Sequence, residues 1–272
     1  MASTEPILQV RKLTAQFTTG GVTTQVVKGI SFDIAAGEAV GFVGESGCGK
    51  SVTARAILRL APEGSSVELG GTVHFRGQDL LQLPERQMLD IRGRRIAMVF
   101  QDPMTSLNPV MTVGAQIDDM VRRHTGATAR EARRRSIELL GLVGIRGAAR
   151  RADDYPHQFS GGMRQRVLIA IAVSCAPDLL IADEPTTALD VTVQAQILRL
   201  LMRLRQELGM ALMLITHDFG VIAGMVERVH VMLDGEIVES GPVDAIFAAP
   251  QHAYTRALLD AVPRLAISGR PP

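Results

Sequence analysis

The chain has no tryptophan, two tyrosines and eight phenylalanines among its 272 residues. So few rings exclude an aromatic-rich binding face and suit a parallel sheet of aliphatic side chains buried under helices. There are two cysteines, Cys48 and Cys175. Two are too few for a structural zinc cluster, and both read as reduced thiols of a cytosolic protein. No apolar run approaches the roughly 18–20 residues that span a bilayer, and the N-terminus lacks the apolar segment of a signal peptide. Any membrane contact is therefore expected to pass through a partner. An excess of one charge is missing too: 29 basic and 28 acidic residues leave +1, so nothing global points to nucleic acid. Lysine is scarce, and the basic residues are nearly all arginine. The length is enough for one large α/β domain or a core plus a subdomain.

Against that scarcity of lysine, the stretch Gly44-Glu45-Ser46-Gly47-Cys48-Gly49-Lys50-Ser51 stands out. It fits Gly-x-x-x-x-Gly-Lys-Ser, the phosphate-binding loop of nucleoside-triphosphate enzymes. Glycines let the backbone curl so that successive N–H groups point at one anion. Lys50 supplies a point charge for the β- and γ-phosphates, and the Ser51 hydroxyl is a hard ligand suited to Mg²⁺. The context agrees. Residues 39–43 read as a buried strand and 52–60 as a helix, whose dipole would add positive potential.

Taken in order, residues 7–17 and 26–34 read as two strands with Gly20-Gly21 between them. Phe17 has two readings, a strand core residue or a ring stacked on adenine. Gly70-Gly71 opens a strand over 72–75. Residues 96–100 form a buried strand that ends at Gln101, before Asp102-Pro103 turns the chain away. A polar amide at that point is either a turn cap or a ligand group, since open α/β sheets bind ligands at the carboxyl ends of their strands. From about 104 to 156 strand patterns give way to helical periodicity, around 113–123 and 129–142. The arginines at 122, 123, 130, 133, 134 and 135 are interleaved with Glu131 and Glu138 and read as a solvated helix face.

Ser160 is a favoured N-cap, and Gly161-Gly162 leave the first N–H groups of a helix over about 164–176 open to an anion. Two phosphate-seeking loops need two phosphates or one shared site. Residues 179–184 form an apolar strand ending in two carboxylates. Asp183 suits Mg²⁺ held through water, and Glu184 suits a base that orients and deprotonates an attacking water. Residues 187–190 lead into a helix over about 193–208. A buried strand over 210–216 ends at His217, and a hairpin over 228–240 turns at Asp234-Gly235.

In motif order the chain resembles, over nearly its whole length, the ATP-binding subunit of an ABC transporter. The phosphate loop, Gln101, the signature Phe159–Met163, the acids Asp183 and Glu184, the loop Ala188-Leu189-Asp190 and His217 all fall in sequence. Phe159 and Met163 depart from the common Leu-Ser-Gly-Gly-Gln signature, while Ser160, Gly161 and Gly162 are intact. Residues 100–109, the run Phe-Ser-Gly-Gly-Met-Arg-Gln-Arg and the tail around 252–263 resemble the dipeptide, oligopeptide and nickel importer subgroup. Many members of that subgroup carry a cysteine-containing tail. Here the chain stops at Pro272 without one, so no tail cofactor is expected.

The resemblance implies an α/β, P-loop (RecA-like) core over 1–103 and 157–246. It carries an antiparallel β subdomain, a helical insertion over 104–156 and a tail over 247–272, all forming one nucleotide-binding domain. It implies ATP and Mg²⁺, with catalytic roles for Glu184, His217 and Gln101. Metal contacts would come from Ser51, Gln101 and Asp183. Nucleotide contacts would come from Phe17, Gly44, Glu45, Ser46, Gly47, Cys48, Gly49, Lys50, Ser51, Val52, Ser160, Gly161, Gly162 and Asp190. The implied partners are transmembrane permease subunits, a second identical or homologous ATPase subunit that completes an ATP sandwich, and a solute-binding protein. No nucleic acid is expected. The implied location is the cytoplasmic face of the inner membrane. A soluble ABC-type ATPase of DNA or ribosomes is the competing class, but its long coiled-coil or zinc insertions and paired cassettes are missing. A regulatory module without turnover would not need Glu184 and His217.

Overall fold

The computed structural model describes residues 6–19, 22–61 and 66–261. The expected turn at Gly20-Gly21 and the tail beyond residue 261 lie outside them. The described residues fall into two compact units, one running up to Met88 and from Ala211 onward, the other Leu89–Met210.

The first unit opens with long strands β1 (Pro6–Thr19) and β2 (Val22–Ala35), followed by the short β3 (Ala39–Val43), β4 (Ser66–Phe75) and β5 (Gln78–Asp79). Strands β2, β1, β4 and β5 make an antiparallel sheet in that order. The β2 side chains alternate between exposed and buried over their second half, the mark of a sheet with one wet face. Gly70 and Gly71 lie inside β4, not at its start. The β1–β4 register slips there between the pairs Arg11↔Thr72 and Thr14↔Gly70. Gly71 has φ +85°, and a Cβ on it would run into the Arg11 and Lys12 carbonyls. Two β1 residues, Lys12 and Leu13, face the single Gly71, so the extra residue of this β-bulge lies in β1 and the glycine supplies the room and left-handed backbone it needs.

Two more parallel partners complete this unit's second sheet region. Strand β3 pairs in parallel with β8 (Ala211–Thr216) and with β9 (Arg228–Leu233). Strand β10 (Glu236–Pro242) folds back on β9 as the expected hairpin. Every residue of β3 and of β8 is buried, as parallel strands covered on both faces require. Arg228 joins β9 to Glu38, just before β3 (Nε to Oε1, 2.5 Å), and to the Asp33 carbonyl of β2.

The second unit contains the parallel pair β6 (Ile96–Val99) and β7 (Leu179–Asp183). Its helices at Val113–Thr125 and Ala129–Leu142 pack on each other, burying Ile117, Val121, Leu139 and Leu140. Both start at a threonine cap, and Thr128 forms a capping box with Glu131, which satisfies donors the first turn leaves open. Of the arginines on the second helix, Arg133 pairs with Asp153, and Arg134 and Arg135 reach Glu138.

Candidate functional site

In the first unit, the phosphate loop leaves the end of β3 and enters the helix Lys50–Ile57, two residues earlier than the periodicity predicts. Gly49 caps that helix with a left-handed backbone at φ 105°. A Cβ on Gly44 would strike the Met232 carbonyl and the Cys48 sulfur, so only glycine lets the loop lie this close to β9. Glu45, Ser46 and Gly47 form the exposed crest of the loop, Cys48 and Gly49 its buried return, and Ser51 and Val52 are half-buried in the helix's first turn. Lys50 is 4% exposed. Its ammonium donates to the carbonyls of Gly44 (2.8 Å) and Glu45 (2.7 Å). The lysine therefore lies across the loop's own backbone, with its charge held at the crest.

The hairpin turn braces the loop from outside. Gly235 donates its N–H to the Cys48 carbonyl (3.0 Å) and accepts from the Lys28 N–H (2.9 Å). His217 follows β8, and Val43 stands opposite Thr216 in the β3–β8 pair. Gly44 and His217 thus leave neighbouring strands at the same end. Asp218 caps the short helix Phe219–Ile222 through the Gly220 N–H. Phe17 is half-buried in β1, opposite Thr24 of β2 and Val67 of β4.

In the second unit, Gln101 follows β6 while Asp183 and Glu184 end β7, so the amide and both carboxylates leave one end of a parallel pair. Asp183 is 1% and Glu184 9% exposed. The Gln101 amide donates to Glu184 Oε2 (3.3 Å), and the Thr187 hydroxyl donates to the same oxygen (2.8 Å). Glu184 has φ 45°, a left-handed backbone that costs about 1–2 kcal/mol in a non-glycine residue. The strained turn and the two converging donors fix the direction of one carboxylate.

Ser160 caps the helix Gly161–Ala172 by accepting from the Met163 N–H (3.4 Å). Gly161 and Gly162 are the helix's first residues. Asp190 caps the helix Val191–Leu208 through the Val193 N–H (2.9 Å). Sequence alone assigns neither Thr187 nor Gly235 these roles. Thr187 lies in a recognisable loop, whereas the Gly235 contact depends on hairpin packing that no local pattern announces.

The geometry can be compared with known proteins. The ABC transporter family matches residues 27–187, and the oligopeptide/dipeptide transporter C-terminal region matches residues 238–271. A probable peptide ABC transporter ATP-binding protein of Sinorhizobium fredii is 54% identical over 257 residues, covering 94% of this chain and 77% of that one. The dipeptide transport ATP-binding protein DppD of Bacillus subtilis is 50% identical, over 97% of this chain and 79% of its own. Among solved structures, a dimeric ATP-binding cassette in a post-hydrolysis state, bound to ADP and Pi, superposes with a TM-score of 0.75. It is 29% identical and covers 87% of this chain and 98% of its own.

Proposed function

Because the chain belongs to the ABC transporter family, we propose that it is the ATP-hydrolysing subunit of an importer of dipeptides and oligopeptides. The observation that carries this reading is a glutamate at the end of a parallel strand oriented by two donors, in a chain whose other unit holds an intact phosphate loop around a buried Lys50. The peptide assignment rests on relatives of about half identity that carry peptide-transport names and on the matching C-terminal region. A soluble ATPase of DNA or ribosomes finds no support among them.

ATP is the substrate. The crest at Ser46-Gly47 and the first turn of the Lys50 helix supply backbone N–H groups and a positive dipole end for its phosphates. The Lys50 ammonium exchanges the Glu45 carbonyl for a phosphate oxygen and keeps the Gly44 carbonyl, a step that replaces a neutral acceptor by a charged one. Ser51 in the first unit and Gln101 and Asp183 in the second each offer a hard oxygen (hydroxyl, amide and carboxylate), the donor class that would hold Mg²⁺. When bound, Mg²⁺ neutralises charge on the β- and γ-phosphates. Glu184 accepts a proton from the attacking water, whose oxygen bonds the γ-phosphorus as the bond to the β-phosphate oxygen breaks, releasing ADP and phosphate. Gln101 and Thr187 hold the glutamate for that transfer. His217 and Phe17 contribute at the γ-phosphate and the adenine, respectively.

The second anion-seeking feature, the Ser160-capped helix, serves a partner. In a closed dimer, Ser160 and Gly162 of one subunit meet the γ-phosphate held by the other subunit's Lys50, with Asp190 beside them. The solved dimeric cassette supports such an assembly. An identical and a homologous partner serve this chemistry equally.

Among the described residues no helix is long and apolar enough to cross a membrane. The coupling to permease subunits at the inner face of the membrane therefore runs through a protein contact, with a solute-binding protein delivering peptide from the other side. The segment after Gln101 is its place. Its Leu107 is buried, so that side chain packs the segment inward. Val110 is 79% exposed, on a turn held by Gln116, whose amide donates to the Asn108 and Met111 carbonyls. A single cysteine at Ser106 or Asn108 should cross-link to the permease's cytoplasmic loops in the assembled complex, with an efficiency that changes on adding ATP. Cross-linking only from the region of Asp234 would refute this docking surface.

A further inference from the structure

The phosphate loop makes one hydrogen bond that the loop sequence does not account for. The Glu45 N–H donates to the Tyr254 hydroxyl (2.9 Å), across 209 residues of sequence. That N–H belongs to the Gly44–Glu45 peptide, whose carbonyl end, Gly44 O, accepts from the Lys50 ammonium (2.8 Å). A single peptide plane is thus held at one end by Lys50 and at the other by Tyr254. Hydrogen bonds in such a chain polarise one another. A cation on the carbonyl strengthens the amide as a donor, and an acceptor on the amide strengthens the carbonyl.

Tyr254 is itself held in place. It lies in the helix Ala253–Asp260, whose cap, His252, accepts from the Tyr254 N–H through Nδ1 (3.2 Å). The start of that helix is anchored to β10. Glu239 accepts from the N–H groups of Gln251 (2.7 Å) and His252 (3.0 Å). Although its partial burial opposes ionisation, those N–H donors hold the Glu239 carboxyl below its usual range. An ionised glutamate therefore clamps the turn that delivers the tyrosine. All of these residues belong to the first unit.

We propose that Tyr254 is a positioning residue of the nucleotide site, which orients the Gly44–Glu45 peptide and through it the Lys50 ammonium for phosphate binding. The C-terminal helix thereby becomes part of the ATP site's framework. A phenylalanine there keeps the ring packing but removes the acceptor, leaving the peptide free to rotate and Lys50 with a less defined carbonyl. The inference rests on the reading of the loop as an ATP site.

The test uses the intact subunit in four forms: wild type, Tyr254→Phe, Arg256→Ala and Lys50→Ala. Affinity for a non-hydrolysable ATP analogue is measured by calorimetry, together with ATPase KM, kcat and melting temperature. Loss of one hydrogen bond of ordinary strength should weaken binding about three- to tenfold in Tyr254→Phe. KM should rise in parallel, with kcat within about twofold and the melting temperature nearly unchanged. Arg256 lies on the same helix, and its side chain donates to the Pro250 and Gln251 carbonyls and not to the phosphate loop, so its variant should bind like wild type. Equal affinity in Tyr254→Phe and wild type would overturn the proposal, as would an equal loss in Arg256→Ala. If wild type and Lys50→Ala bind alike, the ATP reading itself fails and takes the proposal with it. Amide exchange on the wild-type protein supplies a check that needs no variant: the exposed Glu45 amide should be protected, and free exchange would refute the contact.

Discussion

His230 offers a perturbation whose size can be worked out in advance. It lies in β9 and is 3% exposed. Its ring meets Phe42 at 4.8 Å and Phe32 at 5.5 Å between centroids. Nδ1 bonds the Ser240 hydroxyl (2.7 Å), while Nε2 is buried without a hydrogen-bond partner among the described residues. Burial is the main reason its pKa falls from 6.5 to about 4, with Arg228 adding to the effect and Glu38 and Asp33 opposing it. The imidazole is therefore neutral in the folded protein over a range where the unfolded chain binds a proton. Stability from this source is complete above about pH 6.5 and is lost as the pH falls toward 4. The full loss across that gap of about 2.5 pH units is on the order of 3 kcal/mol at ~1.4 kcal/mol per unit. By pH 5, linkage gives about 2 kcal/mol.

The substitution His230→Phe removes the titration and keeps an aromatic ring. Ser240 is exposed and can turn to water. The assay is urea unfolding of both proteins at pH 8, 6 and 5. The absolute stabilities will differ through packing, so the readout is the difference in slope with pH. The wild type should lose about 2 kcal/mol more than the variant between pH 8 and 5. Parallel curves would refute a desolvated His230. Because Phe42 belongs to the strand that delivers the phosphate loop, nucleotide affinity of the wild type should fall in the same acidic range.

Two substitutions address the chemistry directly. Glu184→Gln keeps an oxygen for the Thr187 and Gln101 donors but cannot take the water's proton, so turnover should fall about 10²–10⁴-fold with ATP binding nearly intact; activity within about threefold of wild type would remove Glu184 from the role of base. Ser160→Arg should abolish hydrolysis without weakening ATP binding to the isolated monomer, since the serine caps a helix proposed to face the partner's phosphate. A loss of monomer affinity as large as that in Lys50→Ala would show the arrangement in trans to be wrong.

The sequence alone determined those features that arise from a few adjacent residues. Glycines spaced around Lys50 can curl in only a few ways. An apolar run that ends in Asp183-Glu184 must leave the sheet with its acids at the edge, and Ser160, Thr128 and Asp190 cap the helices that follow them, because a side chain reaches the N–H three residues on. Tertiary structure decided what depends on distant partners. Gly70-Gly71 reads locally as the start of a strand, and only the pairing of β4 with β1 makes Gly71 the residue that faces a bulge at Lys12-Leu13. Nothing near His230 in sequence indicates that two phenylalanines from other strands will strip it of water. Thr187 reaches Glu184 because of a turn conformation. Tyr254 reaches Glu45 because an ionised Glu239 fixes a helix start more than two hundred residues downstream. Local chemistry names the groups that meet a phosphate, but their orientation comes from hydrogen bonds and desolvation imposed by strands and helices far along the chain.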